Sequence, residues 1–230
     1  MNVDITKSNV SQDISIIATK RYKEILTQKT TYQTIKRILD VILSSIGLVI
    51  LLPVFALIGI AIKIESKGPI FFKHTRIGKN GKIIKIYKFR TMVENAEQLI
   101  KDFTPEQKKE YAEYYKLAKD PRVTKIGKIL RKTSLDELPQ LINIIKGELS
   151  LIGPRPVVNG EIEKYGENIE KFLSITPGLT GYWAANGRSG TTYEQRMEME
   201  LYYVDNMSFI LDVKIFFKTI EAVLKRQGAM

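Results

Sequence analysis

Residues 38–62 read ILDVILSSIGLVILLPVFALIGIAI, a run whose one charge is Asp40. As a straight helix it would be about 37 Å long at ~1.5 Å per residue, more than the roughly 30 Å hydrocarbon core of a bilayer. Its whole circumference is apolar, which argues against the core helix of a soluble protein. Pro53 lies past its middle. Proline removes a backbone donor and collides with the carbonyl four residues earlier, here Val49, so a hinge is expected at Pro53. Ser44 or Ser45 is a candidate partner for the freed carbonyl. Divided at the proline, the limbs are about 22 Å and about 15 Å long, and neither alone crosses the core.

The flanks bear on topology. Lys36 and Arg37 precede the run, and from Lys63 to Arg90 nine Lys or Arg stand against one acid, Glu65. Basic flanks stay on the cytoplasmic side. A spanning helix must carry one basic set across, whereas a helix-break-helix that enters and leaves by one face carries neither. The preferred expectation is a re-entrant, monotopic segment over residues 36–64, kinked at Pro53, on the inner face of the cell membrane. A spanning helix with a proline kink is the alternative. Residues 1–35 are polar and mixed in charge, an expected N-terminal extension with a short helix near Ile14–Leu26 and no signal peptide.

The chain has 230 residues, enough for one sizeable domain plus a membrane element. Thirty-six basic residues against 25 acidic give a net charge of +11, which favours an anionic partner: nucleic acid, anionic lipid or a diphosphate. With no cysteine and one histidine, His74, disulfides, thiolate chemistry and a Ser-His-Asp triad are excluded, and a zinc site is disfavoured. His74 is assigned no catalytic or metal role. No P-loop or dinucleotide-binding glycine motif is present.

Beyond the apolar run, Asn80-Gly81 between β-branched and aromatic residues predicts a hairpin from about Ile70 to Phe89. Its lysines fit a solubilised edge strand, or attraction to anionic head groups beside a membrane. Thr104-Pro105-Glu106-Gln107 starts a polar helix. The expected fold class is α/β, mostly α with a short β hairpin: a re-entrant helix-break-helix joined to a small cytoplasmic catalytic domain over residues 65–230.

The chemistry-bearing stretch is Arg131-Lys132-Thr133-Ser134-Leu135-Asp136-Glu137-Leu138-Pro139. Ser134-x-x-Glu137 fits a helix capping box. Pro139 conflicts with it, since a helix capped at Ser134 would need the N–H that proline lacks. A helix beginning at Pro139 would leave Asp136 and Glu137 just ahead of it, free to enter a site. Both readings stand at this level. Arg122, Lys125, Lys128, Arg131 and Lys132 lie upstream, and Arg155 follows between two prolines. A stiffly held arginine suits bidentate phosphate recognition. Two acids among cations suit a magnesium-assisted reaction of a diphosphate.

The chain resembles the monotopic phosphoglycosyl transferases, or bacterial sugar transferases, in their short form. The resemblance rests on the proline-broken run, Gly68-Pro69 with Phe71-Phe72, Lys88-Phe89-Arg90-Thr91-Met92, Thr133 to Leu141, Gly153-Pro154-Arg155-Pro156, Pro177-Gly178-Leu179-Thr180-Gly181, Asn186-Gly187-Arg188 and the region from Tyr202-Tyr203 to Gly228. It covers about residues 36–230. Leu52 stands before the hinge proline where many members have serine, and Ala184-Ala185 precede Asn186 where a Gln-Val-like pair is common.

The resemblance implies transfer of a sugar 1-phosphate from a UDP-sugar, a hexose such as galactose or glucose, to polyprenyl (undecaprenyl) phosphate, initiating an exopolysaccharide, capsule or other surface glycan. It implies Asp136 as nucleophile, forming an aspartyl-phosphosugar, and Glu137 as metal-binding partner or general base. Mg²⁺ would be held by Asp136 and Glu137. Lys88, Arg131 and Arg155 match phosphate-binding positions, with Arg90 a further candidate. Anionic membrane lipid is an expected partner, nucleic acid is not, and a homodimer is admitted. A basic, membrane-anchored binding protein without catalysis, and direct attack in a ternary complex, are the competing readings. Trp183 reads as a core anchor or a sugar platform. The run from Phe209 reads as a helix stopping near Gly228, lying in the membrane interface or packed on the domain.

Overall fold

The computed structural model describes residues 30–114, 117, 120–187 and 190–225. The helix expected near Ile14–Leu26, Arg188 and the stop at Gly228 lie outside them. The first element, α1, is a single α-helix, Thr30–Glu65, with Pro53 inside it. It is already helical at Thr30, six residues ahead of the expected boundary, and stays α-helical on both sides of Pro53. The reason lies in what holds each side of the proline. Leu51 packs on the cluster of Ile84, Ile86 and Leu141, and Val54 and Phe55 pack on that of Phe89 and Leu130. One body grips both limbs, so helical backbone continues past the donor that proline lacks. Ser44 is fully buried against the domain and its hydroxyl meets no partner among the described residues, so it does not serve Val49.

The hairpin forms as expected. Strand β1 (Phe71–Ile77) pairs antiparallel with β2 (Ile83–Phe89), with Phe71 opposite Phe89 and Ile77 opposite Ile83. Asn80 (φ 57°) and Gly81 (φ 74°) make the turn, in the left-handed region that these residue types tolerate. Ile84 and Ile86 alternate inward. Helices α2 (Pro105–Tyr114), α3 (Lys125–Thr133) and α4 (Gln140–Lys146) follow. Thr104 and Gln107 exchange the bonds of a capping box at the start of α2. The carboxamide of Asn143 donates to the Lys85 carbonyl (2.8 Å) and accepts from the Tyr87 N–H (2.9 Å), closing an otherwise bare edge of β2.

A second, parallel pair joins β3 (Ser150–Ile152) to β4 (Gly178–Thr180). Glycines at 153, 178 and 181 let the two following loops touch backbone to backbone. A Cβ at Gly178 would be driven into the backbone of Gly153, and one at Gly181 into the Gly153 carbonyl. Gly178→Ala is therefore expected to destabilise the fold by about 2 kcal/mol or more, a fall of roughly 5 °C in Tm. Gly160→Ala, whose added Cβ meets nothing within 4 Å, is the control and should melt with the native protein.

After the short helices α5 (Ile169–Leu173) and α6 (Tyr182–Asn186), helices α7 (Tyr193–Asn206) and α8 (Phe209–Leu224) complete the chain. Ile215 and Ala222 of α8 are buried, while Ile210, Val213 and Phe217 stay exposed. The helix thus packs on the domain by one face and leaves the other apolar and open.

Both ends of α1 are tied to this domain. Near its start, Tyr32 and Lys36 donate to Asp212 at 2.7 and 2.6 Å, and Arg37 donates to the terminal carbonyls of α4. Asp40 accepts the Leu151 N–H at 2.9 Å. At its end, Glu65 accepts the N–H groups of Lys125 and Ile126, which are orphan donors of the first turn of α3. The outer face, from Ile38 through Val49 and Leu57 to Ile64, is exposed and apolar.

Candidate active site

Helix α3 stops because Ser134 turns left-handed (φ 57°, ψ 17°), with its N–H returning to the Arg131 carbonyl. A single 3₁₀ turn, Leu135–Glu137, follows, and Pro139 occupies the N-cap of α4. Ser134 makes no side-chain capping bond. The capping-box reading is thereby corrected: Ser134 closes the preceding helix instead of opening the next. Leu135 and Leu138 bracket the acid pair and pack on the cluster that Ile58 and Ile62 of α1 form with Phe89 and Leu130. Hydrophobic burial on both sides thus fixes a polar turn on a core that α1 shares.

The two acids differ in environment. Glu137 is half-buried and its Oε1 lies 2.6 Å from Lys88 Nζ. Asp136 is buried. Burial pushes its carboxyl up to about 6, with the negative charge of Glu137 adding to that push and Lys88 and Arg131 opposing it. Arg131 donates through Nε to Thr91 Oγ1 at 2.9 Å, and burial lowers its own pKa.

Beside the turn opens a cleft lined by His74, Arg76, Lys88, Glu137, Arg155, Trp183 and Glu200, among others. Arg155 stands between its two prolines; its backbone N–H donates to Glu200 Oε1 at 3.2 Å, and its guanidinium lies 5.8 Å from the Trp183 ring centre. Three cations, Arg76, Lys88 and Arg155, therefore line one cleft beside the acid pair, a field suited to a diphosphate.

Arg90 is not brought there. Its guanidinium donates to the Ser66 carbonyl (2.8 Å), the Ser66 hydroxyl (3.0 Å) and the Lys67 carbonyl. It is spent on the carbonyls that follow α1, where a cation suits the helix C-terminus. Arg122 is likewise committed, to Asp120 through two bonds of 2.9 and 2.7 Å.

Sequence reading missed His74, Arg76 and Glu200. For the first two a signal existed. Residues directly opposite across a pair share a face, and the register sets Phe72 opposite Lys88, His74 opposite Ile86 and Arg76 opposite Ile84. Naming Lys88 thus implicated His74 and Arg76. Burial, helped by Arg76, Lys88 and Arg155, lowers His74 to about 4, so the ring is neutral. Arg76 Nη2 lies 3.4 Å from its Nδ1; since guanidinium only donates, the ring hydrogen sits on Nε2. Burial, then Arg155, lowers Arg76 to about 10, still charged at neutral pH. For Glu200 no local pattern existed.

Comparison with known proteins shows the family. Residues 31–226 match the model of the bacterial sugar transferase family. The exopolysaccharide production protein ExoY of Sinorhizobium fredii is 45% identical over 84% of this chain and 87% of its own length. The undecaprenyl-phosphate galactose phosphotransferase of Salmonella typhimurium is 39% identical over 87% of this chain, and the UDP-glucose:undecaprenyl-phosphate glucose-1-phosphate transferase of Escherichia coli is 38% identical over 81%. The matched regions span only 43% and 39% of those two proteins. With a family match that extends from α1 through α8 and takes in the acid pair, the cleft and the arginine between prolines, the chain belongs to the bacterial sugar transferases.

Proposed function

We propose that this protein transfers a hexose 1-phosphate from UDP-galactose or UDP-glucose to polyprenyl phosphate, through an aspartyl-phosphosugar on Asp136. The observation that carries this reading is the position of Asp136. It is a desolvated carboxyl beside a three-cation cleft, on a turn whose flanking leucines pack on a core cluster that includes Ile58 and Ile62 of the apolar helix. A soluble diphosphate and a lipid phosphate can reach such a group in turn.

In the first step an Asp136 oxygen attacks the β-phosphorus. The bond from that phosphorus to the bridging oxygen breaks, and UMP leaves with the electron pair. The acyl phosphate keeps transfer potential. In the second step an oxygen of polyprenyl phosphate attacks the same phosphorus, the bond to Asp136 breaks, and the carboxylate is restored. Lys88 and Arg155 neutralise the diphosphate, and Arg131 holds charge balance behind Asp136. Glu137, held by Lys88, serves as general base or metal partner. Among the described residues no cluster of three or more metal-ligating side chains exists. Two carboxylates nonetheless fit Mg²⁺, which commonly uses one or two together with substrate phosphates. Bound by Asp136 and Glu137, it would supply charge neutralisation on the diphosphate.

The membrane part of the proposal is a monotopic one. Both ends of α1 are bonded to one domain, and its basic flanks favour the inner face. Its exposed apolar face, with that of α8, would enter the bilayer from that side.

The reading is tested by UMP release from a series of UDP-sugars in membrane fractions. Release is expected with UDP-galactose or UDP-glucose and only when polyprenyl phosphate is present for continued turnover. Parallel-line kinetics are expected for the covalent route. Intersecting lines would support direct attack, and salt-sensitive lipid binding without UMP release would return the non-catalytic reading.

A further inference from the structure

The transfer chemistry leaves one buried acid of the cleft unused. Glu200 is 1% exposed and lies one helical turn beyond Arg196 on α7. Its Oε1 accepts the Arg155 N–H, but no group among the described residues meets Oε2. Position 181 in the cleft wall is glycine, and a Cβ there would stand 3.9 Å from that free oxygen. Arg196 is also buried. Its Nη1 donates to Glu161 at 3.0 Å, while Nε and Nη2 find no partner among the described residues.

An acceptor and two donors left open in one buried neighbourhood select a ligand class. Buried polar groups are ordinarily satisfied, and each open one is costly. A phosphate would be repelled by Glu200, and a cation by Arg196. A hydroxyl donates to a carboxyl oxygen and accepts from an N–H, so a polyhydroxylated ring matches both. Stacking of a base is disfavoured, because the guanidinium groups of Arg196 and Arg155 already lie 5.0 and 5.8 Å from the Trp183 ring centre.

We infer that Glu200, set by Arg196 and backed by Trp183, is a donor-binding residue that reads ring hydroxyls of the nucleotide-sugar donor. This rests on the donor assigned above. The hydroxyls belong to the hexose or to the ribose, which share this chemistry. Burial pushes the Glu200 carboxyl up to about 7, opposed by the Arg155 N–H and the charges of Arg196 and Arg155. Near neutral pH such a carboxyl both accepts and donates.

Glu200→Gln keeps the side-chain volume and an oxygen for the Arg155 N–H, and replaces the free oxygen by an amide nitrogen. With the full chain in lipid nanodiscs, the readouts are donor KM and kcat for UDP-galactose and UDP-glucose, the UMP inhibition constant, and Tm. The expected result is a donor KM raised about tenfold or more with a Tm not below the native value. If the hexose is read, the preference between the two donors changes and UMP inhibition does not. If the ribose is read, UMP inhibition weakens in parallel and the preference is kept. Glu200→Asp, which withdraws the carboxyl by one methylene, is the second variant with the same readouts. KM, preference and UMP inhibition all within about twofold of native in either folded variant would overturn the inference, making Glu200 a strut for Arg155. Loss of folding in both variants would overturn it too. A native protein that releases no UMP from any UDP-sugar would remove the donor reading itself, before any variant is compared.

Discussion

Asp136→Asn should abolish sugar-phosphate transfer, by about a thousandfold or more, and make the protein more stable at neutral pH. The first effect is the loss of the nucleophile; the second comes from burial. Burial holds the Asp136 carboxyl at about 6, against an ordinary value of 3.8. Between these values the folded protein binds a proton that the unfolded chain releases. Stability therefore falls as pH rises through that window, and the full cost of the buried charge is borne above about 6. A shift of about two pKa units corresponds to roughly 3 kcal/mol. Asparagine carries no charge to desolvate, so Tm of the variant should exceed the native value at pH 7.5, with the gap closing near pH 4. Activity of the native protein should rise with pH around 6, as the carboxylate becomes available. Incubation with labelled UDP-hexose followed by denaturation should leave label on the native chain and none on the variant. Retained transfer in a folded Asp136→Asn protein, or label mapping to another residue, would remove Asp136 as nucleophile.

Asp212→Ala should be the most damaging substitution away from the cleft. Asp212 is a buried hub: Oδ2 accepts Tyr32 and Lys36, and Oδ1 accepts the Tyr203 hydroxyl at 2.7 Å. Removing it leaves a part-buried ammonium without its counter-charge, takes the carboxylate acceptor from Tyr32, and leaves Tyr203 only its longer bond to the Ile152 carbonyl at 3.3 Å. Breaking such a pair from one side costs about 3–5 kcal/mol. Since Lys36 and Tyr32 belong to α1 and Asp212 to α8, the first turns of α1 should also come loose from the domain. Thermal unfolding in detergent and limited proteolysis near Lys36 and Arg37 are the measurements. Glu221→Ala, which removes the exposed pair with Lys225 at 2.5 Å on the same helix, should leave both unchanged. An unchanged Tm for Asp212→Ala would show that α1 is held by its apolar contacts alone.

Local chemistry made much of the fold legible. Asn80-Gly81 fixed the hairpin, because few residue types accept positive φ and the flanking alternation admits one register. Pro139 placed a helix start behind the acid pair, because a proline inside that helix would lack a needed donor. The apolar run announced α1 from hydropathy alone. In each case a backbone constraint acts within a few residues.

The course of α1 through Pro53, the commitment of Arg90 to carbonyls after α1, and the gathering of His74, Arg76 and Glu200 around Arg155 were not readable in this way. Glu200 meets the Arg155 N–H across 45 residues of sequence, and Lys36 meets Asp212 across 176. Dihedral preference and periodicity, which act within a few residues, are enough to specify the hairpin, the apolar helix and the turn that carries the acid pair. Which charges share a cleft and which are consumed elsewhere follows from packing, because desolvation forces each buried charge onto whatever partner packing brings within reach.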